Sequence, residues 1–243
     1  MFSKKIKFIS PLKTFIPDPK PASVFIPKEY KEMSAYLSNS KKNPSVKKCI
    51  PFLDAYTTGY IIPFPIDYEF RPADINPHDG KEEISEFAVN ETIPLNLMPY
   101  FEISHHNSAQ VAPELKNTHR TIDIAFKISN PWIIKTPPGY SCIFTSPLNH
   151  NSPFEPIDAV VDTDNYDQPI KFPFYWTGDI SKSFILKKGS PMIMVIPFKR
   201  ESWQMEVVYQ DVKKWDNSNE RLKFFSKMTD NYKNKSWVKK SFK

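Results

Sequence analysis

Three carboxylates, Asp162, Asp164 and Asp167, crowd into the stretch VVDTDNYDQPI, with Tyr166 between the last two. Carboxylates at that spacing suit two kinds of chemistry. They can share a Mg²⁺ ion with a phosphorylated ligand, and one of them can serve as the base that activates water. The plainer expectation is structural: Asp side chains accept hydrogen bonds from backbone amides close by in sequence and so close tight turns with no reaction at all.

Histidine offers a second constellation. His105 and His106 are adjacent and His119 follows across a loop, so His105 and His119 with a carboxylate such as Glu102 or Asp123 form a candidate cupin-like metal set for Fe, Mn or Zn. Neighbouring strand residues face opposite ways, which lets only one of His105 and His106 point inward, and no His-x-His pair puts two ligands on one face. A polar loop is therefore the expectation there. Gln110 and Arg120, with His105 and Tyr140, are candidates to line a ligand pocket, since pockets combine aromatic walls with a few convergent polar groups. An acyl-transfer triad is not indicated, because neither cysteine nor any serine has a glycine elbow or a placed histidine.

The formal charge of +6 sits at one end. From Lys213 onward there are ten Lys/Arg against three Asp/Glu, and the remainder, 23 against 24, is near neutral. Lys233, Lys235, Lys239 and Lys240 flank Trp237, a composition that can bind phosphate backbones, an anionic surface or an acidic groove on a partner. The alternative is a solvated helix face. Leu222, Phe225, Met228 and Tyr232 recur at helical spacing and predict an amphipathic basic helix.

These groups must be positioned by strands. The chain has 24 Pro, 5 Gly and 19 Phe, so turns are set by fixed φ angles and long helices are excluded over most of its length. Strand candidates are Phe101–His105, Ile122–Ile128, Trp132–Lys135, Ser141–Thr145, Ala159–Asp162, Lys171–Trp176, Phe184–Leu186 and Met192–Phe198, with KEEISEFAVN as a half-buried strand. TTGYIIPFPIDYEF reads as a strand pair interrupted by prolines. Residues 1–26 read as an extended arm laid on the body, and Pro27 opens a short helix with Tyr30, Met33 and Leu37 on one face. Trp132, Phe172, Phe174, Tyr175 and Trp176 resemble a stacking platform for single-stranded nucleic acid, but an alternating strand must bury half its side chains, and core packing is the expectation.

The predicted architecture is mainly β: a single β-clip or jelly-roll-like sandwich or barrel, with a short N-terminal helix and a C-terminal amphipathic basic helix. Residues 1–45 form the arm and first helix, 46–212 the β-rich core and 213–243 the tail. Cys49 and Cys142 are too few for a disulfide framework and read as buried small hydrophobes. With no apolar leader and no span of about 20 apolar residues, no membrane span is expected and the cytoplasm is the expected location.

Taken in order, TPPGYSCIFTSPLNH, AVVDTDNYDQPIKFPF and FILKKGSPMIMVIPF form a series that resembles the trimeric dUTPase and dCTP deaminase superfamily, whose β-clip fold carries a similar Pro-Gly-Tyr turn and an acidic loop ending in tyrosine. The likeness covers roughly residues 54–198. It implies that Asp162 activates water, that Tyr166 packs on a sugar and that Asp162 and Asp164 hold Mg²⁺; Ser146 and Asn149 of SPLN are ligand-binding candidates. The sequence departs from the pattern in four places: SPLN replaces Arg-Ser-Ser, Met194 stands at the expected glutamine, Asn165 is inserted before the tyrosine, and no glycine follows Gly189. The whole chain is also similar to an uncharacterised family associated with marine bacteriophages, on the strength of NPWIIKTPPGYS, VVDTDNYDQPI and GSPMIMVIPFKRE. That likeness implies an infected host cell or a virion as the setting, and no activity.

The expected function is a non-catalytic ligand- or partner-binding protein that needs no cofactor and acts with a protein partner or with further copies of itself. The alternatives are a Mg²⁺-dependent nucleotide pyrophosphohydrolase, a cupin-like metal enzyme and a virion structural component.

Overall fold

Proline-punctuated runs of β-branched and aromatic residues favour short strands, and apart from the nine-residue Pro191–Lys199 the strands described span two to six residues. A computed structural model describes residues 4–37, 43–72, 86–89, 91–106, 125–212 and 231–243. In chain order its strands are β1 (Lys7–Ile9), β2 (Lys20–Pro21), β3 (Tyr60–Pro63), β4 (Tyr68–Arg71), β5 (Glu86–Val89), β6 (Ile103–His106), β7 (Ala125–Ile128), β8 (Ile133–Lys135), β9 (Tyr140–Thr145), β10 (Phe154–Pro156), β11 (Ala159–Val161), β12 (Phe172–Trp176), β13 (Phe184–Leu186) and β14 (Pro191–Lys199). The α-helices are α1 (Lys28–Glu32), α2 (Ile50–Thr57) and α3 (Asn231–Lys235).

Among the described residues every strand pairing is antiparallel. The largest sheet runs β11-β9-β14-β3-β2; a second runs β10-β12-β7-β6, a third β13-β4-β5, and β1 pairs with β8. The protein is thus mainly β, with sheets packed on a shared apolar interior, as the sequence predicts.

The expected pairing of the two strands in TTGYIIPFPIDYEF is not what forms. β3 pairs with β14 and β2, while β4 pairs with β13 and β5, so the PFP step carries the chain from one sheet to another. Pro63 and Pro65 lack the amide donors that a continuous ladder needs. Phe64 between them instead exchanges backbone hydrogen bonds with the turn that feeds β14: its N–H donates to the Ser190 carbonyl and its carbonyl accepts from Gly189 N–H, both at 2.9 Å. One further close approach fixes this region. At Gly59, φ is +73°, and an added Cβ would lie 2.3 Å from the Val195 carbonyl oxygen.

The interior is aromatic. Phe70 stacks on Trp176 with ring centres 4.5 Å apart, Phe154 meets Phe174 at 4.3 Å, and Phe87 sits edge-on to Phe126, Phe174 and Trp176. Trp132, Phe172, Phe174, Tyr175 and Trp176 are all buried, so these rings are core and not an exposed stacking platform.

The N-terminal segment lies on the body as expected: β1 adds to β8, Leu12 and Ile16 are buried, and Phe8 meets the Tyr60 ring edge-on. The helix after Pro27 is shorter than its apolar spacing suggests. Tyr30 packs against Phe52 and Tyr56 of α2, but Met33 and Leu37 lie beyond the helix and are exposed. Lys47 ends it by donating to the carbonyls of Lys31 and Met33. Of the predicted basic helix, Leu222, Phe225 and Met228 lie outside the described residues, and α3 supplies little more than one turn of it. Residues 237–243, which were expected to continue the helical tail, are not helical, because Trp237 and Lys240 turn to Asp54 on the body. Cys142 is buried as expected, whereas Cys49 is exposed, because it caps the start of α2 at the surface and not within the core. Among the described residues no helix is long and apolar enough to cross a membrane.

Candidate functional site

The acidic loop is built outward from β11. That strand pairs with β9 in a register that sets Val161 opposite Cys142, so the next residue, Asp162, comes alongside Ser141. Ser141 Oγ donates to Asp162 Oδ1 at 2.6 Å. The Asp162 carbonyl accepts from the N–H groups of Asn165 and Tyr166, both at 3.0 Å, which closes the turn. Thr163 is fully buried, its hydroxyl 2.7 Å from Thr136 Oγ1 and donating to Cys142 Sγ at 3.3 Å. Burial pushes the Cys142 thiol up to about 11, against its bond from Thr163, so it is an inert packing group.

Asp164 is the most constrained carboxylate. It accepts from Gly139 N–H at 2.8 Å, and Arg200 holds both its oxygens in a two-pronged ion pair, with Nη1 to Oδ1 at 2.9 Å. Its side chain is only 6% exposed. The Arg200 guanidinium, helped by the Gly139 amide, holds this carboxyl down at about 2, and the same pair raises Arg200 above its ordinary value. Arg200 Nη1 also lies 3.2 Å from Asp162 Oδ1 and donates to Ser141 Oγ at 3.0 Å and the Tyr140 carbonyl at 3.2 Å. Asp167 pairs with Lys135. The three aspartates that the sequence offers for metal or base chemistry thus meet cations of their own chain.

A bidentate Arg–carboxylate pair is a strong, geometrically specific contact, and here it joins the acidic loop to the residue that follows β14. Arg200 N–H donates to the Gly139 carbonyl at 2.9 Å, extending the β9–β14 ladder by one residue. We call this group the clasp. Sequence reasoning assigned Arg200 no role, although GSPMIMVIPFKRE contains it. The signal was register: β9 and β14 pair with Lys199 opposite Tyr140, which puts the next residue over the Pro-Gly-Tyr turn and beside the acidic loop.

The other candidates are dispersed. Tyr140 stands at one end of β9 beside the clasp, with Lys4 Nζ 4.4 Å over its ring, on a cavity of about 470 Å³ shared with Lys5, Tyr60, Thr136 and Phe242. Ser146 and Asn149 follow the other end of β9. Asn149 adopts φ +60°, and its carbonyl accepts from Tyr56 Oη at 3.1 Å. Tyr166 is 43% exposed at the loop tip. His105 is exposed on β6, its ring 5.3 Å from that of Phe126. Gln110, His119 and Arg120 lie outside the described residues. Among the described residues no cluster of three or more His, Cys, Asp or Glu is placed to hold a metal ion.

The tail lies on the body. Trp237 Nε1 donates to both oxygens of Asp54 at 3.1 and 3.0 Å, Lys240 pairs with the same carboxylate, and Phe242 meets the Tyr60 ring edge-on. Two of the five anion-binding candidates therefore engage α2 of their own chain. Lys233 and Lys239 are exposed, and Lys235 occupies the last turn of α3.

One feature of this end of the molecule was not singled out in the sequence. Beyond the clasp, residues 201–212, ESWQMEVVYQDV, run to residue 211 without a bend or turn and pair with no strand among the described residues. Trp203, Met205, Val207 and Tyr209 alternate along it at 87%, 90%, 61% and 92% exposure. No protein-family model matches this chain, and no curated protein matches its sequence.

Proposed function

We propose that this chain is a non-catalytic binding protein that joins a protein partner through the segment 201–212, which we call the arm. The observation that carries the reading is the exposed row Trp203, Met205, Val207 and Tyr209. Four large apolar side chains at period two have the pattern of a half-buried strand, and contiguous apolar surface of this kind marks interaction sites. The clasp supports the same reading. Its carboxylates neutralise Arg200, and that contact fixes the point where the arm leaves the body.

A phage-associated setting, implied by the likeness of the whole chain, suits this reading in its virion-component form, since projecting arms link subunits. Nucleotide hydrolysis through Asp162 and Mg²⁺, with Asp164, Tyr166, Ser146 and Asn149 in support, is the alternative to be tested against it. The test is a thermal-shift and turnover panel of nucleoside mono-, di- and triphosphates with and without Mg²⁺. A ligand at about 100 times its dissociation constant stabilises by about 2.7 kcal/mol, well above detection. We expect a flat panel and no release of phosphate or pyrophosphate. A Mg²⁺-dependent shift with turnover that Asp162→Asn abolishes would overturn the proposal.

A further inference from the structure

We infer that the partner is a second copy of this chain, and that the arm of each copy adds as a strand to the open edge of β13 in the other. This rests on the binding reading above and names its partner.

Four observations converge. First, β13 is the outer strand of the sheet β13-β4-β5, so its far side presents backbone groups with no neighbour strand among the described residues. Such an edge is a template for strand addition. Second, the edge is apolar where a strand would cover it: Phe184 is 44% and Ile185 38% exposed, and beside them lies a cavity of about 250 Å³ lined by Phe64, Pro147, His150, Pro153 and Leu186. That cavity is a seat for an aromatic side chain such as Trp203 or Tyr209.

Third, the charges are compatible. The arm carries Glu201, Glu206 and Asp211 and no Lys or Arg. The lysines that frame β13, Lys182, Lys187 and Lys188, pair with Asp179, Asp67 and Glu91, so among the described residues no uncompensated negative charge opposes the arm there. Fourth, the arm is not paired with β13 of its own molecule. β13 enters β14 through the Gly189 turn, and the arm leaves from the opposite end of β14, nine residues on, or about 30 Å. Residues 201–211 then run on without a bend or turn. A second copy offers the same open edge, and reciprocal exchange of two arms closes a twofold dimer.

Sedimentation velocity on the full chain and two variants tests this. Val207→Pro removes a ladder donor from the arm, and Ile185→Pro does the same on the edge. Wild type is expected to sediment as a dimer, each variant alone to raise the dissociation constant about a hundredfold or more, as loss of a central contact does. An equimolar mixture of the two variants should regain association, because an intact arm then meets an intact edge. Hydrogen exchange on wild type guards against misfolding of a variant: amides of residues 184–186 and 203–209 should be protected at high concentration and lose that protection together on dilution. A monomeric wild type overturns the proposal, as does a dimer indifferent to Val207→Pro or one lost in Val207→Pro but kept in Ile185→Pro. Each of these leaves the nucleotide panel untouched, so failure here is distinct from failure of the binding reading.

Discussion

Trp176 and Trp203 have opposite fates. The first is fully buried, stacked on Phe70 and ringed by Phe87 and Phe184; the second is 87% exposed on a segment equally rich in large apolar side chains. Their local sequences, FPFYW and SWQMEVVY, are both good strand formers. What separates them is company. Trp176 lies on a strand with neighbours on both sides, β10 and β7, whereas the arm has left the sheet that β14 belongs to. The difference teaches that, among the described residues, the arm's apolar content is not absorbed by the core that buries Trp176.

The strongest way to break that comparison is to truncate both tryptophans. Trp176→Ala should cost about 3–5 kcal/mol of stability, as large core truncations do, while Trp203→Ala should change the stability of the isolated subunit by about 0.5 kcal/mol or less. Urea melts at a concentration that favours monomer would decide it; a large loss in Trp203→Ala would place that ring in the subunit's own core. Next in size is Gly59→Ala. Its positive φ and the 2.3 Å approach to the Val195 carbonyl force β3 away from β14, at about 2 kcal/mol or more. The same melts, with a circular-dichroism check of the fold, measure it.

The clasp sharpens the comparison, since it is the boundary between the two regions. Asp164 has a folded pKa depressed to about 2, so its contribution to stability is present above the ordinary carboxylate range and is lost as pH falls through that range toward 2. Melting temperature between about pH 4 and pH 2 should fall less steeply in Asp164→Asn than in wild type. Parallel slopes would mean that the Arg200 pair does not form in solution. The smallest expected effect is at the tail: Asp54→Asn should release Trp237 and Lys240, shifting tryptophan fluorescence while changing stability by about 1 kcal/mol or less, as exposed ion pairs do.

Much of the fold was legible because period-two alternation is a local signal. The spans from Ser141 to Thr145, Phe184 to Leu186 and Met192 to Phe198 each fall on an observed strand, with ends displaced by a residue or two at most. What was not legible was pairing. Nothing in TTGYIIPFPIDYEF says that β3 and β4 part company, because their partners are supplied from the far end of the sequence by β14 and β13. The acidic loop follows the same rule. Its turn chemistry could be read from Asx preferences, and Asn165 and Tyr166 do donate to the Asp162 carbonyl. Its cation could not, since Arg200 reaches it only through the β9–β14 register. Helical spacing misled at Met33 and Leu37, where Lys47, distant in sequence, ends α1 after five residues.

The place of β14 in the largest sheet has a kinetic consequence. It is the central strand, with β9 on one side and β3 on the other, yet it is made of residues 191–199. During synthesis β2 can pair with β3 and β11 with β9, but the central edges of β3 and β9 must wait unpaired until that strand has left the ribosome. Contacts so distant in sequence make for slow, concerted folding, on the millisecond-to-second scale of β-rich domains. A nascent chain halted before Lys199 would expose β3, with Ile61 and Ile62, as a bare apolar edge and would depend on chaperones to avoid aggregation.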